Sequence, residues 1–162
     1  MSNKKNNNKI NNSRISTNKK AFHDYIFEKT LNTGIVLEGW EVKSARAGKV
    51  QLSDSYVIIK NNEAWLLGSL ITPLNSTCTH KTINPSRTRK ILMHRKELNN
   101  LIGLTKQKGY TLIPISMYWS KNKIKLDIAL AKGKKLYDKR ASDKEKTWQK
   151  EKQRLLKKSI KL

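Results

Sequence analysis

Between residues 22 and 132 apolar positions fall in short alternating or continuous runs rich in Ile, Val, Tyr and Trp, with turn-forming residues between them. The pattern predicts strands at 23–30, 33–37, 55–60, 64–72, 89–92, 111–119 and 124–131. Asn61-Asn62 and the stretch 120–123 predict hairpin loops, because Asn tolerates positive φ, so neighbouring strands should pair antiparallel. Two segments change period. Leu98, Leu101, Ile102 and Thr105 recur at helical spacing and predict a helix over 94–108, stopped by Gly109. A shorter helix over 39–47 ends at Gly48 and sets Trp40, Lys43 and Ala47 on one face. Short strands interrupted by two or three short helices predict a mainly β fold, a small closed antiparallel OB-like β-barrel. Phe27, Tyr56 and Trp65 alternate within strands and are expected in its core.

The ends have another character. Residues 1–17 are mostly Asn, Lys, Ser and Thr, with Ile10 and Ile15 as the only aliphatic anchors, too little burial to offset ordering entropy; a disordered basic arm is expected. The barrel is expected over 18–131 and a basic tail over 132–162. In that tail S-D-K-E at 142–145 has the form of a capping box opening a helix to about Ile160. Ala141, Trp148, Leu155 and Leu162 recur every seven residues among many basic ones. A seam this narrow buries little, so the tail is expected to be disordered or marginally helical when free and to fold on a partner. The alternative is a charged helix packed on the barrel.

Charge sets the class of partner. The 162 residues carry 35 Lys and Arg against 12 Asp and Glu, a net charge of +23 that calls for a polyanion. The excess is terminal: +6 over 1–20 and +9 over 131–162, against +8 for the longer middle. A single cysteine, Cys78, excludes an internal disulfide framework. No apolar run is long enough for a transmembrane helix, and no apolar stretch follows the basic amino terminus as a secretory signal requires, so a cytoplasmic protein is expected.

Basic residues interleaved with aromatics are the strongest chemical signal, since phosphate neutralisation supplies affinity and exposed rings stack on unpaired bases. Lys19-Lys20 precede Phe22 and His23; Lys43, Arg46 and Lys49 follow Trp40; Arg87, Arg89 and Lys90 cluster; Lys123 and Lys125 follow Tyr118-Trp119. A solvated face is the plain reading of any one lysine; the recurrence is what points to nucleic acid. An enzyme has one foothold: Asp24, then Glu41-Val42-Lys43, in the D…E-x-K order of metal-dependent nucleases. The flanking α/β context of those enzymes is missing. Cys78, His80 and His94 make a poor zinc set without a second cysteine. No phosphate-cradling Gly-rich loop or nucleophile elbow is present, and no cofactor is expected.

Six ordered blocks then resemble one family: N-K-K-A-F-H-D-Y at 18–25, G-I-V-L-E-G-W-E-V-K-S-A-R-A-G-K at 34–49, D-S-Y-V at 54–57, R-T-R-K-I-L-M-H at 87–94, K-G-Y-T-L-I-P at 108–114, and A-K-G-K-K-L-Y-D-K-R at 131–140. They are similar to the SsrA-binding protein (small protein B, SmpB) family over about 18–148. The resemblance implies a bacterial RNA-binding factor of trans-translation, a monomer and not an enzyme. Its barrel would bind the tRNA-like domain of transfer-messenger RNA through Asn18, Lys19, Lys20, His23, Lys43, Ser44, Arg46, Lys49, Arg89, Lys90, Leu92 and Lys125. Its tail would enter the empty mRNA channel and decoding centre of a stalled ribosome through Lys132, Gly133, Lys134, Lys135, Tyr137, Asp138, Lys139, Arg140, Lys144 and Trp148. Gly133 would let the chain turn where the barrel ends, and Tyr137 would stack on a base. Elongation factor Tu and alanyl-tRNA synthetase are implied as partners through the RNA alone. The chain departs from the family at Tyr137, where His is frequent, and at Asn32, where an acidic residue is.

Overall fold

Two long apolar segments set the architecture. The computed structural model describes residues 14–75, 83–106 and 109–159. In it β8 (Tyr110–Ser120) and β9 (Lys123–Gly133) form a hairpin paired from Tyr110 with Lys132 to Ser120 with Lys123. Lys121 and Asn122 close it at φ 47° and 61°, both left-handed, the twist that a two-residue hairpin turn needs. Around it lie β1 (Arg14–Thr17), β2 (Tyr25–Ile35), β3 (Val50–Gln51), β4 (Tyr56–Lys60), β5 (Glu63–Leu67), β6 (Leu70–Ile71) and β7 (Arg89–Leu92). Asn61 and Asn62 take the same left-handed turn between β4 and β5.

The large sheet runs β1-β8-β4-β5-β7-β2-β9, and β9 pairs again with β8. Six strands therefore hydrogen-bond in a closed circuit, all antiparallel, with β1 added to β8 outside it. β3 and β6 form a separate pair. Among the described residues strand outweighs helix, and 24 helical residues lie in one terminal helix, so the body is mainly β.

Inward positions of the circuit supply the main core: Leu31, Val57, Leu66, Ile91, Leu112, Met117, Leu126 and Ile128, with Leu98 and Leu101 from α3 (Arg95–Thr105). α1 (Lys19–Asp24) covers part of the outer face, placing Ala21 on Ile113 and Ala131. This second contact explains why β8 is nearly all apolar over residues 112–117, which are buried on both faces, Ser116 being the exception. α2 (Gly39–Arg46) ends in Gly48 at φ 70°, the left-handed stop that glycine adopts without steric cost. α4 (Leu136–Ser159) leaves the body after β9.

Several expectations are corrected. Residues 19–24 are helix, which takes His23 and Asp24 out of the strand expected over 23–30: the Asn18 side chain accepts the Ala21 N–H at 3.0 Å and caps a turn that alternation conceals. The expected strands at 23–30 and 33–37 are one strand, bulged between Phe27 and Lys29, because β9 pairs along its length. Of the expected disordered arm, residues 1–13 lie outside the described residues; Arg14–Thr17 form β1, with Ile15 packed on the core and the backbone paired to Ser116–Tyr118. The tail boundary at 132 also moves: Gly133 does not turn the chain but extends β9 opposite Tyr25. The terminal helix starts at Leu136, ahead of the capping box at 142–145, because contacts with α1 hold its first turns.

Candidate nucleic-acid interface

The β8–β9 hairpin separates two basic regions. From the pair Tyr118–Lys125 to the pair Tyr110–Lys132 the span is roughly 25 Å at strand rise.

At the turn end, register places Leu92, Gly34, Lys125 and Tyr118 in one row across β7, β2, β9 and β8. Leu92 is 50% exposed, an aliphatic side chain in water on a strand face. Gly34 makes that approach possible: a Cβ there would lie 3.3 Å from the Leu92 Cβ. A cleft of about 330 Å³ opens between this row and His94 at the start of α3. Behind the row Asp127 accepts from Tyr118 Oη at 3.1 Å and Ser116 Oγ at 3.1 Å, and Asn32 Nδ2 donates to both Asp127 and the Tyr118 hydroxyl. Burial and the adjoining Asp127 carboxylate push the Tyr118 phenol up, so it stays a neutral donor. Lys90 lies beside the row, paired with Glu63 at 2.5 Å and 6.0 Å from the Trp65 ring.

α2 presents Lys43 and Arg46 to solvent, and Lys49 is exposed just beyond its Gly48 stop. The Arg46 guanidinium stands 5.5 Å from the Trp119 ring, which ties this helix to the same hairpin end. Its foundation is ionic. Glu41 is wholly buried; its oxygens accept from Arg89 Nε at 2.8 Å, Arg87 Nε at 2.9 Å, Arg87 Nη2 at 2.5 Å and the Glu38 N–H at 2.8 Å, the last a capping box. Arg89, also at zero exposure, donates further to the carbonyls of Ser69, Pro85 and Arg87 and to Ser69 Oγ. Burial lowers the Arg89 guanidinium, against the pull of Glu41, but from so high a value that it stays charged. Arg87 is raised by its hydrogen bonds to Glu41.

At the other end, α1 carries Lys19, Lys20 and His23. Lys20 pairs with Asp54 at 2.7 Å across a groove of about 220 Å³ beside Tyr56, which raises its ammonium. His23 Nδ1 meets Asp24 at 2.9 Å and Nε2 meets Asp143 of α4 at 3.0 Å. Lys139 donates to Asp24 at 2.8 Å, which with His23 holds that carboxylate below its usual range.

The expected contacts thus divide. Lys19, Lys20, His23, Lys43, Arg46, Lys49, Lys90, Leu92 and Lys125 are wholly or partly accessible. Asn18, Ser44 and Arg89 are not, at 1%, 0% and 0% exposure; their work is internal. Asn18 also donates to the Pro114 carbonyl, and the Ser44 hydroxyl is buried with no hydrogen-bond partner among the described residues. In the tail Tyr137 and Trp148 are 64% and 67% exposed, Lys132, Gly133, Lys135, Arg140 and Lys144 are exposed, and Lys134, Asp138 and Lys139 are partly buried. Lys135 stands over the Tyr137 ring at 5.8 Å. Tyr56 and Trp65, expected in the core, lie outside it: Tyr56 is 47% exposed, and Trp65 shares the outer face with its register partner Lys90. Gly34, Tyr118 and Asp127 join the interface only in three dimensions, although a glycine in mid-strand marks a close approach.

The nuclease foothold is divided as well. Asp24 is held by Lys139 and His23, while both Glu41 oxygens are taken by arginines and its own helix cap. His94 caps α3 through a reciprocal box with Glu97, and Cys78 and His80 lie outside the described residues. Among the described residues no group of three or more His, Cys, Asp or Glu is placed to hold a metal ion, and no helix is long and apolar enough to cross a membrane.

The comparisons with known proteins agree over nearly the whole chain. A family model described as SmpB protein matches residues 15–158. The SsrA-binding protein of Chromohalobacter salexigens is 52% identical over 156 residues, 96% of this chain and 98% of that one. That of Thiobacillus denitrificans is 54% identical over 142 residues, 88% and 95% of the two chains. A chain in the solved structure described as "tmRNA-SmpB: a journey to the center of the bacterial ribosome" is similar at a TM-score of 0.62 and 38% identity, over 75% of this chain and 85% of that chain. With both buried and exposed parts of the interface lying inside the matched span, the chain belongs to the SmpB, or SsrA-binding protein, family.

Proposed function

We propose that this chain is an RNA-binding factor of trans-translation. Its body, read as an OB-like barrel, binds the tRNA-like domain of transfer-messenger RNA, and its tail reaches the empty mRNA channel and decoding centre of a stalled ribosome. It works in the cytoplasm as a monomer and without catalysis. Elongation factor Tu and alanyl-tRNA synthetase meet it only through the RNA. The closed circuit of strands supports the barrel, and the names of its relatives support the partners.

The observation that carries RNA binding is the row Leu92–Gly34–Lys125, flanked by the cations of α2. An exposed aliphatic side chain beside lysines on a strand face suits a folded RNA, whose riboses and bases offer apolar contact next to phosphate. The long exposed helix α4 suits a second partner distinct from the one the body holds.

The test is competition: full-length protein, the tRNA-like domain, a large excess of bulk tRNA and about 0.15 M salt. A complex that survives reads RNA shape. Complete displacement would leave counterion release as the source of affinity and a generic RNA chaperone as the reading. Removing residues 134–162 should spare that complex and stop peptide tagging on stalled ribosomes.

A further inference from the structure

We propose that His23 is a two-position anion hook: in the free chain its Nε2 holds the Asp143 carboxylate of α4, and when RNA binds α1 the same nitrogen takes a phosphate, releasing the first turns of α4 from the body. This rests on the RNA-binding reading above and adds to it a coupling between body and tail.

The ring is oriented before any ligand arrives. Nδ1 is fixed on Asp24 Oδ1 at 2.9 Å, so Nε2 points away from α1, where Asp143 offers Oδ1 at 3.0 Å and Oδ2 at 3.1 Å. The groups facing the imidazole are Asp24 from its own helix and Asp143 from α4, with Lys139 of α4 on the far side of Asp24 at 2.8 Å. Asp143 and then Asp24 raise the imidazole, which favours the imidazolium that either anion needs. Lys139 and Asp143 are one helical turn apart and so share a face. Lys134 completes the attachment, its N–H donating to the Asp24 carbonyl at 2.9 Å and its Nζ to the Phe22 carbonyl at 3.1 Å.

This attachment is polar and close to water. Farther along α4 Trp148, Leu155 and Leu156 are exposed at 67%, 69% and 54%, so they lie outside the core of the body. Contacts of this kind are individually weak in water, and they exchange when a competing anion is concentrated nearby. Lys19 and Lys20 on the same helix supply that concentration for an RNA backbone. A phosphodiester presents two negatively charged acceptor oxygens, as the bidentate Asp143 carboxylate does.

The experiment uses the full chain in a C78S background with spin labels at T30C and Q149C, reading the interlabel distance distribution with and without the tRNA-like domain. A narrow distribution in the free protein should broaden on RNA binding, and D143N should broaden it without RNA. D143N should also bind the RNA about threefold to fivefold tighter, the effect of removing one exposed ionic competitor. E145Q and E151Q, which change net charge equally on the same helix, should do neither. A complex that forms with the distribution unchanged, or an equal gain from E145Q, overturns the hook and leaves RNA binding standing. Failure of the unsubstituted protein to form a complex overturns both.

Discussion

Replacing Glu41 by alanine should be among the most damaging single changes in the body. It leaves the fully buried Arg89 guanidinium with its carbonyl partners but no counter-charge, and frees the Glu38 N–H at the start of α2. Removing one partner of a buried pair costs about 3–5 kcal/mol. For a chain of this size each kcal/mol moves Tm by about 2–4 °C, so the expected fall is roughly 6–20 °C. The assay is thermal and urea unfolding followed by tryptophan fluorescence. The double substitution E41L/R89M removes both fully buried charges and should cost clearly less than the sum of its single changes, since of the network only the partly exposed Arg87 then lacks Glu41. A loss below about 1 kcal/mol for E41A, the worth of a solvated surface pair, would refute the picture of a desolvated network. Because that network ties α2 to β7, E41A should also weaken RNA binding although Glu41 cannot touch RNA.

Other outcomes follow from the same geometry. S44A removes a buried hydroxyl with no hydrogen-bond partner among the described residues, so unfolding should show unchanged or raised stability, by up to about 1 kcal/mol, with RNA affinity unaltered; a tenfold weaker complex would return Ser44 to the contact surface. L92D and K125A should each weaken the complex, K125A also lowering the slope of log affinity against log salt by about 1; a slope unchanged in K125A would remove Lys125 from the phosphate contacts. G34V places methyl groups against Leu92, whose Cβ would stand only 3.3 Å from the Cβ of any side chain at position 34, and should weaken RNA binding more than it lowers Tm. His23 is raised by Asp143 and Asp24, so its ionic hold on α4 is complete below the ordinary imidazole value of about 6.5 and is lost as pH climbs through the raised value. An NMR titration of the His23 ring should show a lower midpoint in D143N; identical midpoints would sink the contact.

The strands and α3 were legible because each satisfies a local rule: alternation in β4, helical spacing at Leu98, Leu101 and Ile102, and Asn at the two turns. α1 was hidden, since its six residues are too few to show a period and only the Asn18 cap marks them. The motif blocks pointed to the family but could not sort their own residues into contacts and supports. Arg89 and Lys90 are neighbours in one block, yet strand alternation turns one inward to Glu41 and the other outward to Trp65.

Sequence alone determined the strand-rich body, the basic ends, the need for a polyanion and the family, because composition, periodicity and motif order are carried by the chain itself. The tertiary structure decided which charges are spent inside, at Glu41, Arg87 and Arg89, and which face solvent. It also decided that Leu92, Gly34 and Lys125 meet in one row and that Asp143 reaches His23, 120 residues away. Strand register and helix docking set those proximities, and both depend on contacts between residues distant in sequence, which no local pattern encodes.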